Sequence, residues 1–139
     1  MKWFTSNKEN MRNWGLLALR VAVGIVFIRH GWLKLTGIDG VEQMVASIGF
    51  PLPVFFAWVL ALVEFVGGIA VLVGAYLRVA SKLLALDMLI ALLLVHSHTA
   101  FAQAELAIVL LGGVLALFLL GGGDFMLTKK DCGCKMCKS

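Results

Sequence analysis

Charge is scarce in this sequence: only 14% of its 139 residues are Asp, Glu, Lys or Arg, whereas 61% are hydrophobic. A soluble domain is typically about a quarter charged, so a water-soluble globule, a disordered tail and a nucleic-acid-binding arm are all excluded. Cysteine is scarce too, and the three cysteines fall in the last eight residues, which excludes a disulfide framework. The mean hydropathy of +0.97 is typical of a small integral membrane protein, whose partner is the lipid bilayer.

Four apolar stretches are long enough, or nearly long enough, to cross a bilayer, which takes about 20 helical residues. They are residues 14–35, 54–76, 79–95 and 105–120. Pro51 and Pro53 suit the beginning of a helix, and the run Gly121–Gly123 favours a chain reversal after the fourth stretch. We therefore expect an all-α fold with a four-helix transmembrane bundle over residues 14–127. A basic N-terminus (1–13) precedes it, and a tail rich in Lys and Cys (128–139) follows it.

The segments outside these spans alternately contain and lack basic residues. Lys or Arg occurs in the N-terminal segment, the second connection and the tail, whereas the first and third connections have neither. This distribution predicts a multi-pass protein of the plasma (inner) membrane with both termini in the cytoplasm. Within the first outer loop, Val41, Met44, Val45 and Ile48 recur at helical spacing, which predicts a short amphipathic helix at the outer surface.

Several ionisable residues fall inside or at the ends of the spans, where such groups are costly and usually face a partner or a wet cavity. The candidates for a buried polar or ligand site are Arg20, His30, Lys34, Glu64, Asp87, His96, His98 and Glu105. A rise of about 1.5 Å per residue predicts three pairs at similar depths: Asp87 with Arg20, Glu64 with His30 or Arg29, and Glu105 with Lys34 or His98. Arg29 points away from Arg20, which is typical of a side chain that snorkels through lipid. The other pairs fit either polar contacts between helices or a redox, proton or ligand site.

Two places in the sequence could hold a metal ion. His96 and His98 cannot share one helical face, so a metal site there needs loop geometry and further ligands, for which His30 and Glu105 are the candidates. The alternative is that both histidines face water at the end of a span.

The second place is the tail, with Cys132, Cys134 and Cys137. On the cytoplasmic side these thiols would be reduced, and three thiolates suit a soft metal such as Cu(I) or Zn. A closed zinc site needs a fourth ligand, from a second copy or a partner. The alternative is a flexible basic tail that tolerates the cysteines without binding a metal or using them in thiol redox chemistry.

The polar residues and glycines together resemble the pattern of the DoxX family over residues 14–127. The first span has Arg20, Gly24, Phe27, His30-Gly31 and Lys34-Leu35, and the second has Glu64, Gly67-Gly68, Leu72, Gly74 and Arg78. The later part adds a histidine at 96 or 98, Phe101, Glu105 and the glycine run before Asp124. The ending 124–127 departs from the usual family sequence, and the cysteine tail is not part of the family pattern.

The resemblance implies a four-helix membrane scaffold. Relatives in this family are subunits of thiosulfate:quinone oxidoreductases, or associate with superoxide dismutase and thiol-handling enzymes in membrane redox complexes. We therefore expect a membrane subunit of a quinone-linked redox complex, of the thiol/sulfur or oxidative-stress type. Glu64, His30 and Arg20 would hydrogen-bond the quinone or move its protons, and a soluble redox enzyme would supply the electrons. Two other functions stay open: a non-catalytic membrane anchor or assembly factor for soluble redox enzymes, and a small transporter or metal-handling protein. A homo-oligomer is compatible with all three.

Overall fold

The computed structural model describes residues 2–95 and 101–128, with side chains over 8–93 and 104–128. These residues form helices and no strand. The helices are α1 (Lys2–Thr36), α2 (Ile38–Ser47), α3 (Pro53–Val73), α4 (Leu77–Ile90), which continues as a π-helix (Ala91–Val95), and α5 (Phe101–Leu120). Proline stands in the first turn of α3, and α5 ends directly before the glycine run, as the sequence predicts.

Two of these helices are long and apolar enough to cross a membrane: α1, over Lys8–Thr36, and α3. The described part of α5, Ala104–Leu120, is apolar but shorter. Large apolar side chains such as Ile25, Val66 and Val109 are exposed on the outside of the helices, where a lipid bilayer would cover them. These features are typical of an α-helical membrane protein. The number of spans and the orientation of the termini stay predictions.

The closest helix contact is between α1 and α3, which run antiparallel. Gly31 of α1 lies so close to Phe65 that a Cβ added at residue 31 would overlap the Phe65 backbone. Further along the pair, a Cβ at Gly24 would lie 3.0 Å from the Gly68 carbonyl, and a Cβ at Gly68 would lie 2.8 Å from the Ile28 nitrogen. Small residues let membrane helices approach in this way, and here they bring the polar residues of α1 and α3 into contact.

The apolar core has two parts. The larger part joins α1, α3, α4 and α5 around fully buried side chains that include Phe27, Leu84 and Val114. The smaller part lies under α2, the helix predicted in the first loop, where Val41 and Val45 pack against Ala57 of α3. The apolar face of α2 is therefore covered by protein, and α2 forms one wall of the cavities described below.

Candidate functional site

An ion pair between α1 and α3 is the centre of the site. Lys34 Nζ donates to Glu64 Oε1 at 2.6 Å, and the two side chains are 25% and 2% exposed. Side chains of a helix lean toward its N-terminus. Because α1 and α3 are antiparallel, Lys34 and Glu64 lean toward each other and meet between their backbone levels. The close contact at Gly31 holds the two helices near enough for this pair.

A second carboxyl group lies next to this pair. Asp87 of α4 is 5% exposed, and its carboxyl group is within hydrogen-bonding range of Glu64 and in the field of Lys34. One oxygen of each acid, Glu64 Oε2 and Asp87 Oδ2, is buried and accepts no hydrogen bond from a donor among the described residues. One ammonium group therefore faces two buried carboxyl groups, which we call the acid pair (Glu64 and Asp87).

A cavity of about 280 Å³ opens beside the ion pair, and we call it the polar cavity. His30, Lys34 and Glu64 supply its polar wall. The rest of the wall is apolar and comes from α1, α2, α4, the π-helix and α5: Phe27, Met44, Met88, Ala91, Leu106, Ala107 and Leu110. The arrangement offers hydrogen-bond donors and an acceptor at one end of a mainly apolar space, which is the usual composition of a small-molecule site.

A second cavity of about 240 Å³ lies among α2, α3 and α4, and we call it the apolar cavity. Side chains such as Val45, Phe56, Leu60 and Leu86 line it, and Asp87 is the only ionisable one among the described residues that do. Glu64 lines the polar cavity and Asp87 the apolar one. The acid pair thus has one member on each cavity.

Arg20 has a different surrounding from the acid pair, although it is only 1% exposed. Its guanidinium donates to four backbone carbonyls: Nε to Val71 (3.1 Å), Nη2 to Leu72 (2.9 Å), and Nη1 to Gly122 (3.2 Å) and Phe125 (2.7 Å). Val71 and Leu72 are in the last turn of α3, whose carbonyls lack the usual partner four residues on within the helix; the Val71 carbonyl also accepts from the Gly74 N–H at 3.3 Å. Arg20 therefore caps α3 and ties it to the segment after α5.

The DoxX family model matches residues 15–97, which include Arg20, Lys34, Glu64 and Asp87. The chain belongs to the DoxX family. The family model ends before α5, so Ala107 and Leu110 of the polar cavity lie outside the matched residues.

Curated relatives of this DoxX protein come from two bacteria. It is 39% identical over 108 residues to "Putative oxidoreductase CatD" of Bacillus subtilis strain 168, covering 77% of this chain and 79% of the relative. It is 32% identical over 130 residues to the inner membrane protein YqjF of Escherichia coli strain K12, covering 88% and 98%. The inner membrane protein YphA of the same organism is 36% identical over 63 residues, 45% of each chain. No solved structure matches the chain.

The structure of this DoxX protein corrects the predicted pairs. Arg20 does not pair with Asp87, because α4 begins at Leu77 and ten residues of helix, about 15 Å at the usual rise, bring Asp87 level with Glu64 instead. Glu64 pairs with Lys34 and not with Arg29, which is exposed. His30 lines the polar cavity near Glu64 but is not its ion-pair partner.

The remaining candidates lie elsewhere. Glu105 is exposed on α5, so it is not the partner of Lys34 and is not buried as predicted. His96, His98, Cys132, Cys134 and Cys137 lie outside the described residues. Over residues 2–95 and 101–128, no group of three or more His, Cys, Asp or Glu side chains is placed to hold a metal ion.

Two residues near these sites were not predicted. Met44 of α2 lines the polar cavity, and its place on the same helical face as Val41 and Val45 is the sequence signal that indicates a buried position. Asn13 is buried, and its Nδ2 donates to Asp124 Oδ2 next to the segment that Arg20 holds. No spacing rule relates residue 13 to residue 124, so only the fold could show this contact.

Proposed function

We propose that this DoxX protein is the membrane subunit of a quinone-linked redox complex and that the polar cavity binds the quinone head group. The observation that carries the proposal is the wall of the polar cavity, where Lys34, His30 and Glu64 face a mainly apolar space. A quinone carbonyl accepts hydrogen bonds, which the Lys34 ammonium and a His30 N–H donate. The hydroxyl of the reduced form donates one, which the Glu64 carboxylate accepts.

The size of the polar cavity supports a head group rather than a whole lipid-soluble quinone. Its volume of about 280 Å³ is near the lower end of small-ligand sites, which span about 300–1,000 Å³. The apolar tail would therefore leave the cavity between helices toward lipid. Met44, Met88 and Leu110 give the ring a deformable apolar surface.

In this proposal, the side chains of the polar cavity exchange protons, and a partner enzyme supplies the electrons. Quinone reduction consumes two electrons and two protons, and carboxylate, ammonium and imidazole groups exchange protons only. We assign the electrons to a soluble redox enzyme of thiol/sulfur or oxidative-stress chemistry, bound to a four-span protein with cytoplasmic termini. The names of the relatives support a redox role in the membrane, since CatD is named an oxidoreductase and YqjF an inner membrane protein.

The test is the quinone content of protein purified in mild detergent. We expect stoichiometric quinone in the wild type and its loss in Glu64→Gln, because a neutral amide offers Lys34 no opposite charge and cannot take up or deliver a proton. Glu105→Gln is the matched control, since it makes the same change on an exposed residue of α5. Thermal unfolding of all three proteins checks that the comparison is between folded samples.

Equal trace amounts of quinone in all three proteins would overturn the proposal. Co-purification of a soluble redox enzyme in that case would favour the non-catalytic anchor or assembly factor.

A further inference from the structure

The proposed quinone site uses Lys34, His30 and Glu64 but leaves Asp87 without a role. Asp87 is nevertheless buried nearly as deeply as Glu64: it is 5% exposed against 2%, touches Glu64 and faces the apolar cavity. A buried acid that only joined helices would need a donor on each oxygen. Asp87 Oδ2 and Glu64 Oε2 have none among the described residues.

The cluster of Lys34, Glu64 and Asp87 has one negative charge too many when both acids are ionised. Lys34 contributes one positive charge at 25% exposure, and Glu64 and Asp87 contribute two carboxyl groups at 2% and 5%. Buried charge is tolerated when it is paired. Two adjacent buried carboxylates repel each other, and such pairs hold a proton between them. A single proton added to the cluster makes its charge neutral.

We propose that Glu64 and Asp87 share one proton, which rests on Asp87, and that Asp87 supplies this proton to Glu64 when the polar cavity exchanges protons with its ligand. The second half of the proposal rests on the proposed function, and the first half does not. The geometry gives the resting position of the proton, because Glu64 Oε1 is already bound to Lys34 at 2.6 Å, whereas none of the described residues that line the cavity beside Asp87 is a cation. An Asp87 O–H that donates to Glu64 Oε2 gives both orphaned oxygens a partner.

The acid pair accounts for one of the two protons of quinone reduction, and the second proton comes from outside the pair. During quinone reduction, electrons from the soluble redox partner make the bound oxygen basic. An O–H bond forms on the ligand as Glu64 delivers the proton, and the O–H bond of Asp87 breaks, leaving its electron pair on the Asp87 carboxylate. Besides Glu64, the titratable groups among the described residues that line the polar cavity are His30 and Lys34, both of α1. The residues that face this cavity from α2 and the described part of α5 are Met44, Leu106, Ala107 and Leu110, which do not titrate.

Infrared spectroscopy of the ligand-free full-length protein tests the shared proton, because a protonated carboxyl group has a C=O band distinct from that of a carboxylate. We expect one such band from the cluster in the wild type at neutral pH. It disappears in Asp87→Asn and in Glu64→Gln, since the one remaining acid then pairs with Lys34 as a carboxylate. It is unchanged in Glu105→Gln. In Lys34→Met the band about doubles, because both acids lose their cation and take up protons.

A wild type without the band, or a band that persists in either single acid variant, overturns the shared proton. Asp87→Asn keeps the size of the side chain, and its thermal unfolding compared with the wild type shows whether it is folded. Asp87→Glu is the rescue variant, and we expect it to restore the band.

Added water-soluble quinone separates this proposal from the proposed function. If quinone binds and shifts the band, Asp87 is part of proton exchange. If the band behaves as expected but quinone neither binds nor shifts it, the shared proton stands, and the quinone function and the exchange role of Asp87 fail. If quinone binds stoichiometrically and the wild type lacks the band, the quinone function stands and the shared proton fails.

Discussion

Arg20 Nε donates a 3.1 Å hydrogen bond to the carbonyl of Val71 in the last turn of α3. The most buried cation of the bundle's described part is thus satisfied by backbone, with no carboxylate in its hydrogen-bond set. A guanidinium has five N–H donors in a fixed plane, which lets it bind carbonyls of α3 and of the segment after α5 together. These contacts assign Arg20 to the stability of the fold, whereas the chemistry that we propose involves Lys34, Glu64 and Asp87.

The first prediction concerns this cap. Arg20→Lys keeps the charge but cannot reach both chain segments, and it leaves buried carbonyls without donors at about 1–3 kcal/mol each. We expect the thermal unfolding midpoint in detergent to fall markedly, while the folded fraction keeps its quinone. Arg29→Lys, on the exposed face of the same helix, should unfold like the wild type. A stable Arg20→Lys protein that has lost quinone would place Arg20 in the ligand site instead.

The second prediction concerns the contact between α1 and α3. Gly31→Ala puts a methyl group into the Phe65 backbone, so the helices must separate, at a cost of about 1–3 kcal/mol for such overpacking. Both stability and the Lys34–Glu64 pair should suffer, measured as the unfolding midpoint and the quinone content. Gly112→Ala is the control, because nothing lies within 4 Å of a Cβ at that position of α5. Equal behaviour of the two variants would contradict this account of Gly31.

Much of the helix pattern could be predicted from apolar runs, prolines and glycines, since these determine where a helix can begin, end or approach another. The short helix α2 is an example, because its apolar residues recur at helical spacing and its Val41 and Val45 are buried. The pairing of charges could not be predicted in the same way. Depth counted along each span ignores the lean of side chains, which brings Lys34 of α1 to Glu64 of the antiparallel α3.

Arg20 illustrates a second limit of the sequence. The apolar run around Arg20 indicates that this cation is buried, and a buried cation needs a partner. Backbone carbonyls at a helix end can be that partner, but they do not appear in the sequence as a residue type. An acid at similar depth is therefore the natural candidate, which is why the sequence predicts Asp87 as the partner of Arg20. Only the fold, which places the end of α3 beside Gly122, shows that backbone carbonyls are the partners of Arg20.

The third prediction concerns the coupling energy between Lys34 and Glu64. Lys34→Met leaves Glu64 buried without its cation, and breaking a buried pair costs about 3–5 kcal/mol; we expect the lower end, since Lys34 is 25% exposed. The double variant Lys34→Met/Glu64→Leu removes both charges and should recover most of the lost stability. The measurement is a double-mutant cycle of unfolding free energies. Strict additivity of the two single changes would show that the pair contributes no coupling.

The last prediction fills the polar cavity without altering a polar group. Ala107 is buried on α5 and lines the cavity, so Ala107→Phe should occupy part of its volume of about 280 Å³. We expect quinone to be lost even though Lys34, Glu64 and Asp87 are all retained, and the infrared band of the acid pair to persist. Ile108→Phe is the control, since the neighbouring residue is exposed and the new ring would point to lipid. Quinone retained in Ala107→Phe at wild-type stoichiometry would exclude the polar cavity as the binding site, whatever the polar variants show.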